Sequence, residues 1–131
     1  MSSQSVVRFY NEIYLKEVKM KVSNFKNLQS NANPHGIESH KIYDTENALV
    51  MHLTLQAGQS LKPHITPVDV FFYVLEGSPT ILIGEEKMTV TKDDLIESPK
   101  DIVHCIYNET DSIVRVMVSK VPKPVMQTKM V

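Results

Sequence analysis

Five consecutive residues, Val70-Phe71-Phe72-Tyr73-Val74, are all β-branched or aromatic. Such side chains lose rotamer freedom in a helix and fit a pleated, largely buried surface, so this run commits the centre of the chain to a β-strand. Turn residues stand on either side of it: Ala57-Gly58 and Pro63 before, Glu76-Gly77-Ser78-Pro79 after. Glycine and proline break regular structure through their backbone requirements alone. A short, strongly apolar strand bounded in this way needs partner strands on both sides, and the rest of the chain supplies candidates.

Residues 1–19 are ambiguous. Val6, Tyr10, Ile13 and Tyr14 share a helical face at near-3.6 spacing, yet the segment is rich in strand-preferring residues; a short helix is the reading adopted. Residues 22–28 read as a first edge segment, followed by the polar, turn-rich loop 29–36. A strand is expected over 39–44, then a turn at 44–47. Leu49, Met51, Leu53 and Leu55 next alternate with Val50, His52 and Thr54, the mark of a half-buried strand whose apolar face meets the core. His52 is accordingly read as a surface or interface residue, and His35 and His40 as solvated loop residues, with an extra ligand over a cavity mouth as their other reading.

Downstream, 80–84 and 87–91 flank Glu85-Glu86 as a hairpin. Further strands are expected over 95–97, 103–107 and 113–118, where Val114, Val116 and Val118 alternate with Ile113, Arg115 and Met117. The tail 121–131 carries prolines that forbid a central strand. The fold class is therefore all-β, in a single domain of 131 residues.

Charge and cysteine usage narrow the partners. With 14 basic and 15 acidic residues and no cluster of Lys and Arg, the chain lacks the basic stripe that nucleic acid requires. No apolar run approaches the roughly 20 residues of a membrane span, and the N-terminus lacks the order of a signal peptide. The single cysteine, Cys105, excludes an internal disulfide and fits a reducing compartment, so a cytoplasmic protein is expected. Cys105 beside His104 does not make a nucleophile and base, because neighbouring residues on a strand face opposite sides.

Two stretches carry a family resemblance. Gly58, His64 and Gly77 fall in register with the first motif of the cupins, in which a glycine is followed by a His-x-His pair, a glutamate and a second glycine. Here Thr66 stands for the second histidine and Val70 for the glutamate. Pro99, His104 and Asn108 match the second motif, while Asp93 and Asp101 replace its glycines; aspartate tolerates left-handed backbone better than most residues. The resemblance covers about residues 20–120. It implies a small antiparallel double-stranded β-helix, a jelly-roll-like barrel, with residues 1–19 as an N-terminal extension and 121–131 as a C-terminal tail.

The resemblance also implies a site. His64 and His104 are the retained metal-ligand positions, and two of the usual four are lost. Strand parity then turns Val70, Phe72, Val74 and Ile106 into the interior beside Thr66, giving a mostly apolar ligand cavity. Asp69 is a candidate third ligand if a bulge follows Pro67. Two imidazoles can hold a first-row ion (Mn, Fe, Ni or Zn), although catalytic sites usually have three or more protein ligands.

Two functions follow as expectations. One is a protein binding a small organic ligand in the barrel, with a weakly held divalent metal at most. The other is a metal-dependent oxygenase or isomerase. Phe71, Tyr73, Leu75, Cys105 and Tyr107 are expected to form an apolar outer surface, and with it a homodimer.

Overall fold

The computed structural model describes residues 18–131 of the chain; the helix expected in the N-terminal extension falls on residues outside that range. Ten strands follow a 3-10 turn at Phe25–Asn27: β1 Glu38–Thr45, β2 Ala48–Leu55, β3 His64–Ile65, β4 Asp69–Glu76, β5 Thr80–Ile83, β6 Glu86–Thr89, β7 Leu95–Ser98, β8 Val103–Tyr107, β9 Val114–Val121 and β10 Lys129–Met130. They make two five-stranded sheets, β1-β2-β9-β4-β7 and β10-β3-β8-β5-β6, and every pairing is antiparallel. This is the expected all-β, jelly-roll-like arrangement. Among the described residues no helix is long and apolar enough to cross a membrane.

The central run behaves as its composition requires. In β4, Val70, Phe72 and Val74 are 3%, 1% and 0% exposed, while Phe71 and Tyr73 on the other face are only half-buried. Phe72 lies between Val118 of β9 and Ile96 of β7 in register. Full burial of one such aromatic side chain contributes about 1.5–3 kcal/mol. Val114, Val116 and Val118 of β9, Leu53 and Leu55 of β2, and Ile106 of β8 complete the same core.

Several boundaries differ from the sequence reading. The expected edge segment at 22–28 is instead the 3-10 turn, started by Asn24, whose side chain accepts a hydrogen bond from the Lys26 N–H. The hairpin turn sits at Gly84-Glu85 rather than at the two glutamates, because Gly84 supplies the left-handed residue (φ +62°). β9 runs on through Val121, three residues beyond the strand expected there. The tail then returns as the edge strand β10, which respects the constraint set by its prolines.

The expected apolar outer surface is divided. Phe71 and Tyr73 lie in one sheet, Cys105 and Tyr107 in the other, and a register shift between Val74 and Glu76 disturbs the parity of Leu75. Cys105 is fully buried, its thiol donating to the Leu61 carbonyl at 3.3 Å.

The motif turns are set by left-handed backbone. Asp93 (φ +73°) and Asp101 (φ +63°) adopt it where the resembling motif has glycine. Asn108 holds the β8–β9 loop: its amide donates to the carbonyls of Leu55, Gln56 and Ser112 at 3.1, 3.0 and 2.7 Å, and its side-chain oxygen accepts from the Thr110 N–H. Two glycines separate backbone strain from crowding. A Cβ at Gly77 (φ +83°) would stand 2.7 Å from the Ile113 carbonyl oxygen, whereas one at Gly58 (φ +79°) would meet nothing within 4 Å. Gly58→Ala is expected to cost only the left-handed penalty of about 1–2 kcal/mol. Gly77→Ala adds overpacking and should cost about 2–4 kcal/mol. Urea unfolding of both variants measures the difference; equal losses would show that the contact at Gly77 is relieved.

Candidate ligand cavity between the two sheets

β3 and β8 pair so that His64 lies opposite His104. The two imidazoles meet edge to face, 4.4 Å between ring centroids, with their Nε2 atoms 3.0 Å apart. Each ring is anchored at its other nitrogen. His64 Nδ1 donates to the Lys62 carbonyl at 2.7 Å, which leaves its Nε2 as an acceptor. His104 Nε2–H then donates to His64, with Thr66 Oγ1 at 3.2 Å, and His104 Nδ1 accepts from the Ser98 hydroxyl at 2.7 Å. Ser98, Thr66 and His104 are all at most 2% exposed. The chain Ser98 → His104 → His64 → Lys62 satisfies every nitrogen of both rings, as buried polar groups require.

A third imidazole joins them. His35, from the loop before β1, tilts over His64 at 4.7 Å between centroids and takes the Lys62 N–H at its Nδ1, 2.9 Å away. The solvated reading of His35 is corrected, since the ring is half-buried at the cavity edge, and the Lys62 N–H, not an ion, takes its Nδ1 lone pair, so the reading as an extra ligand over the mouth gains no support. Burial is the largest cause of a lowered pKa in all three, to about 4 in His35 and about 3 in His104, with the same direction in His64. These rings are neutral at physiological pH.

The histidines border a cavity of about 180 Å³ between the sheets. Its walls are Ile37, Met51, Leu53, Leu61, Phe72 and Val118, and the tail closes one side with Thr128 and Met130. The tail is held by pairing of Met130 with His64 and by the Val131 N–H on the Pro63 carbonyl at 3.3 Å. Lys120 of β9 projects into the same space. It continues the inward series Val114, Val116, Val118, and burial lowers its pKa.

Of the residues expected to line the cavity, Phe72 does so. Val70, Val74 and Ile106 are packed into the core and do not border it; cross-strand neighbours consume their surface. Thr66 touches the cavity's edge only through His104. Asp69 is elsewhere: it is exposed at the start of β4, and its Oδ1 accepts from the Lys100 N–H at 2.9 Å, so no bulge turns it inward. Sequence reasoning misses His35 as a wall residue, Lys120 and the tail residues. The alternation Val114-Val116-Val118-Lys120 is the available signal for Lys120, while nothing local marks His35.

A divalent metal, the ion that the retained histidines imply, fits this donor set poorly. Among the described residues no group of three His, Cys, Asp or Glu side chains is placed to hold one. His64 and His104 spend their facing nitrogens on each other, His35 turns its lone pair to the Lys62 N–H, no carboxylate of the described residues borders the cavity, and Lys120 brings a positive charge into it. Stable sites hold the ion with three or four deprotonated ligands.

On the outer face of β2, Phe25 stacks on His52 at 3.7 Å and Arg115 Nη1 donates to His52 Nε2 at 3.1 Å. His40 Nδ1 donates to the Leu28 carbonyl at 3.0 Å. His52 and His40 are 3% and 7% exposed, which corrects both the surface reading of His52 and the solvated reading of His40: the segment before β1 covers them. Burial and Arg115 lower the His52 pKa to about 4.

Three imidazoles, His52, His64 and His104, are thus at most 7% exposed with folded-state pKa values below the usual 6.5. The unfolded chain binds more protons between those folded values and 6.5. Their stability contribution is therefore complete above about pH 6.5 and lost as the pH falls, down to about 4 for His52 and about 3 for His104 and in the same direction for His64, by about 1.4 kcal/mol per pH unit for each ring that stays neutral. Urea unfolding at pH 7, 6 and 5 measures the slope, and a flat profile would contradict neutral burial.

The Cupin domain family matches residues 51–120. Among curated protein sequences none matches. TT1209 from Thermus thermophilus is 26% identical, with a TM-score of 0.69 over 80% of this chain and 100% of that one. The polyketide cyclase RemF from Streptomyces resistomycificus is 17% identical, with a TM-score of 0.73 over 86% of each chain. An RmlC-like cupin family protein with a double-stranded β-helix fold from Methanocaldococcus jannaschii is 21% identical, with a TM-score of 0.69 over 82% of this chain and 94% of that one. The last two likenesses concern the fold. With two motif histidines paired across β3 and β8, and a family match over more than half its length, this chain belongs to the cupins.

Proposed function

We propose that this protein binds a small organic molecule, the size of a single ring or a short acyl chain, in the cavity between its sheets, and that it binds without catalysis by a resident metal. The observation that carries this reading is the cavity itself: about 180 Å³, walled mainly by aliphatic side chains and edged by a few fixed polar groups. Ligand sites are commonly built so, and an apolar cavity of about 150 Å³ is enough for benzene. A purely structural role asks for histidines bonded to neighbours, which these are, and also for a filled interior, which this is not. The rival expectation, an oxygenase or isomerase working through a divalent ion, asks for a third ligand that the described residues do not place at the cavity.

Fluorobenzene, a neutral probe of suitable size, is expected to enter the cavity. Its ¹⁹F signal should broaden with the wild-type chain at micromolar to millimolar concentration. In Val118→Phe, whose ring projects from the cavity wall, the broadening should be lost while the protein stays folded, at an overpacking cost of about 1–3 kcal/mol. Absence of broadening with wild type, or equal broadening with both proteins, would contradict a ligand site here.

A further inference from the structure

β9 places one cation among apolar neighbours. Its inward positions run Val114, Val116, Val118 and then Lys120, which pairs with Leu49 of β2 on one side and Val70 of β4 on the other. A strand's period of two leaves Lys120 no choice but to share the face of the three valines. Its side chain joins His35, His64 and His104 at the cavity, and among the described residues no Asp or Glu lines that space.

The acids near it in register are turned elsewhere. Asp69, opposite Val121, is exposed and accepts from the Lys100 N–H, and Asp44, opposite Leu49, pairs with Lys123 at 2.6 Å. Among the described residues the Lys120 ammonium has no ion-pair partner. Removing a charge from water without a counter-charge costs several kcal/mol, and the cost is recovered when an opposite charge arrives with good geometry.

We propose that the ligand is a small organic monoanion, its carboxylate seated on the Lys120 ammonium and its apolar part lying against Met51, Leu53, Phe72 and Val118. The inference rests on the reading of the cavity as a ligand site and gives that site its substrate class. One ammonium balances one negative charge. Of the lining groups only Lys120 is charged, because the surrounding imidazoles are neutral; Lys41 and Lys62 add positive charge from outside the lining, which favours an anion further and repels an organic cation. The volume admits one ring or a short chain in addition to the carboxylate, so benzoate and hexanoate are fitting probes.

Calorimetric titration of the full-length protein with benzoate, benzamide and benzylammonium, repeated with Lys120→Met, tests the assignment. Wild type should bind benzoate at least about tenfold more tightly than benzamide, as expected of a hydrogen bond to a charged group, and should exclude benzylammonium. In Lys120→Met the benzoate preference should vanish while benzamide affinity stays within about twofold, which also reports an intact cavity. If that variant loses both neutral and charged probes through misfolding, the wild-type ratio of benzoate to benzamide decides alone. Equal wild-type affinity for the two overturns the anion assignment and leaves the ligand site standing; binding of neither overturns both.

Discussion

Strand parity is the constraint on which the rest of this structure depends. Because successive side chains alternate between faces, the choice that buries Phe72 in β4 also buries Val70 and Val74, and the choice that buries Val116 in β9 carries Val114, Val118 and Lys120 inward with it. A slip of one residue would expose the whole apolar set, so the register is strongly held. The same arithmetic in β8 sends His104 and Ile106 inward. The interior is thus mainly aliphatic, with its polar groups concentrated where β3, β8 and the end of β9 meet.

What happens to those polar groups separates this chain from the metal sites that its motifs resemble. With Thr66 and Val70 at two of the motif's ligand positions, the remaining histidines close a hydrogen-bond chain from Ser98 to the Lys62 carbonyl. Every ring nitrogen in that chain has a partner, and burial keeps the rings neutral. Lys120 is different. Its ammonium is the group in the cavity whose charge is unanswered among the described residues, so electrostatics at this site favours an incoming anion over an incoming cation.

Much of the fold is legible in the sequence because it depends on local patterns. The run Val70–Val74, the alternation over 49–55 and the turn glycines all act over a few residues, and Asp93 and Asp101 are readable as left-handed substitutes for glycine. The site is less legible. His35 reaches the cavity through a contact with Lys62, 27 residues away, which no local pattern encodes. Parity alone puts His52 on the exposed face, and it is buried because the segment around Phe25 folds back over it. Lys120 does continue a visible alternation, but the prolines that follow it point to an earlier end of the strand. Asp69 is a ligand candidate by its position in a motif, and the backbone amide of Lys100 claims it instead.

The paired histidines form a satisfied hydrogen-bond network beside the cavity between the sheets, and metal content separates that arrangement most sharply from a metal centre. Inductively coupled plasma mass spectrometry reads it, on untagged protein exposed to Mn, Fe, Ni and Zn and then desalted, alongside a His64→Ala, His104→Ala double variant. Metal far below one equivalent is expected in the wild-type protein, unchanged in the variant. Close to one equivalent of a single metal, lost in the variant, would contradict the network and make His64 and His104 ligands.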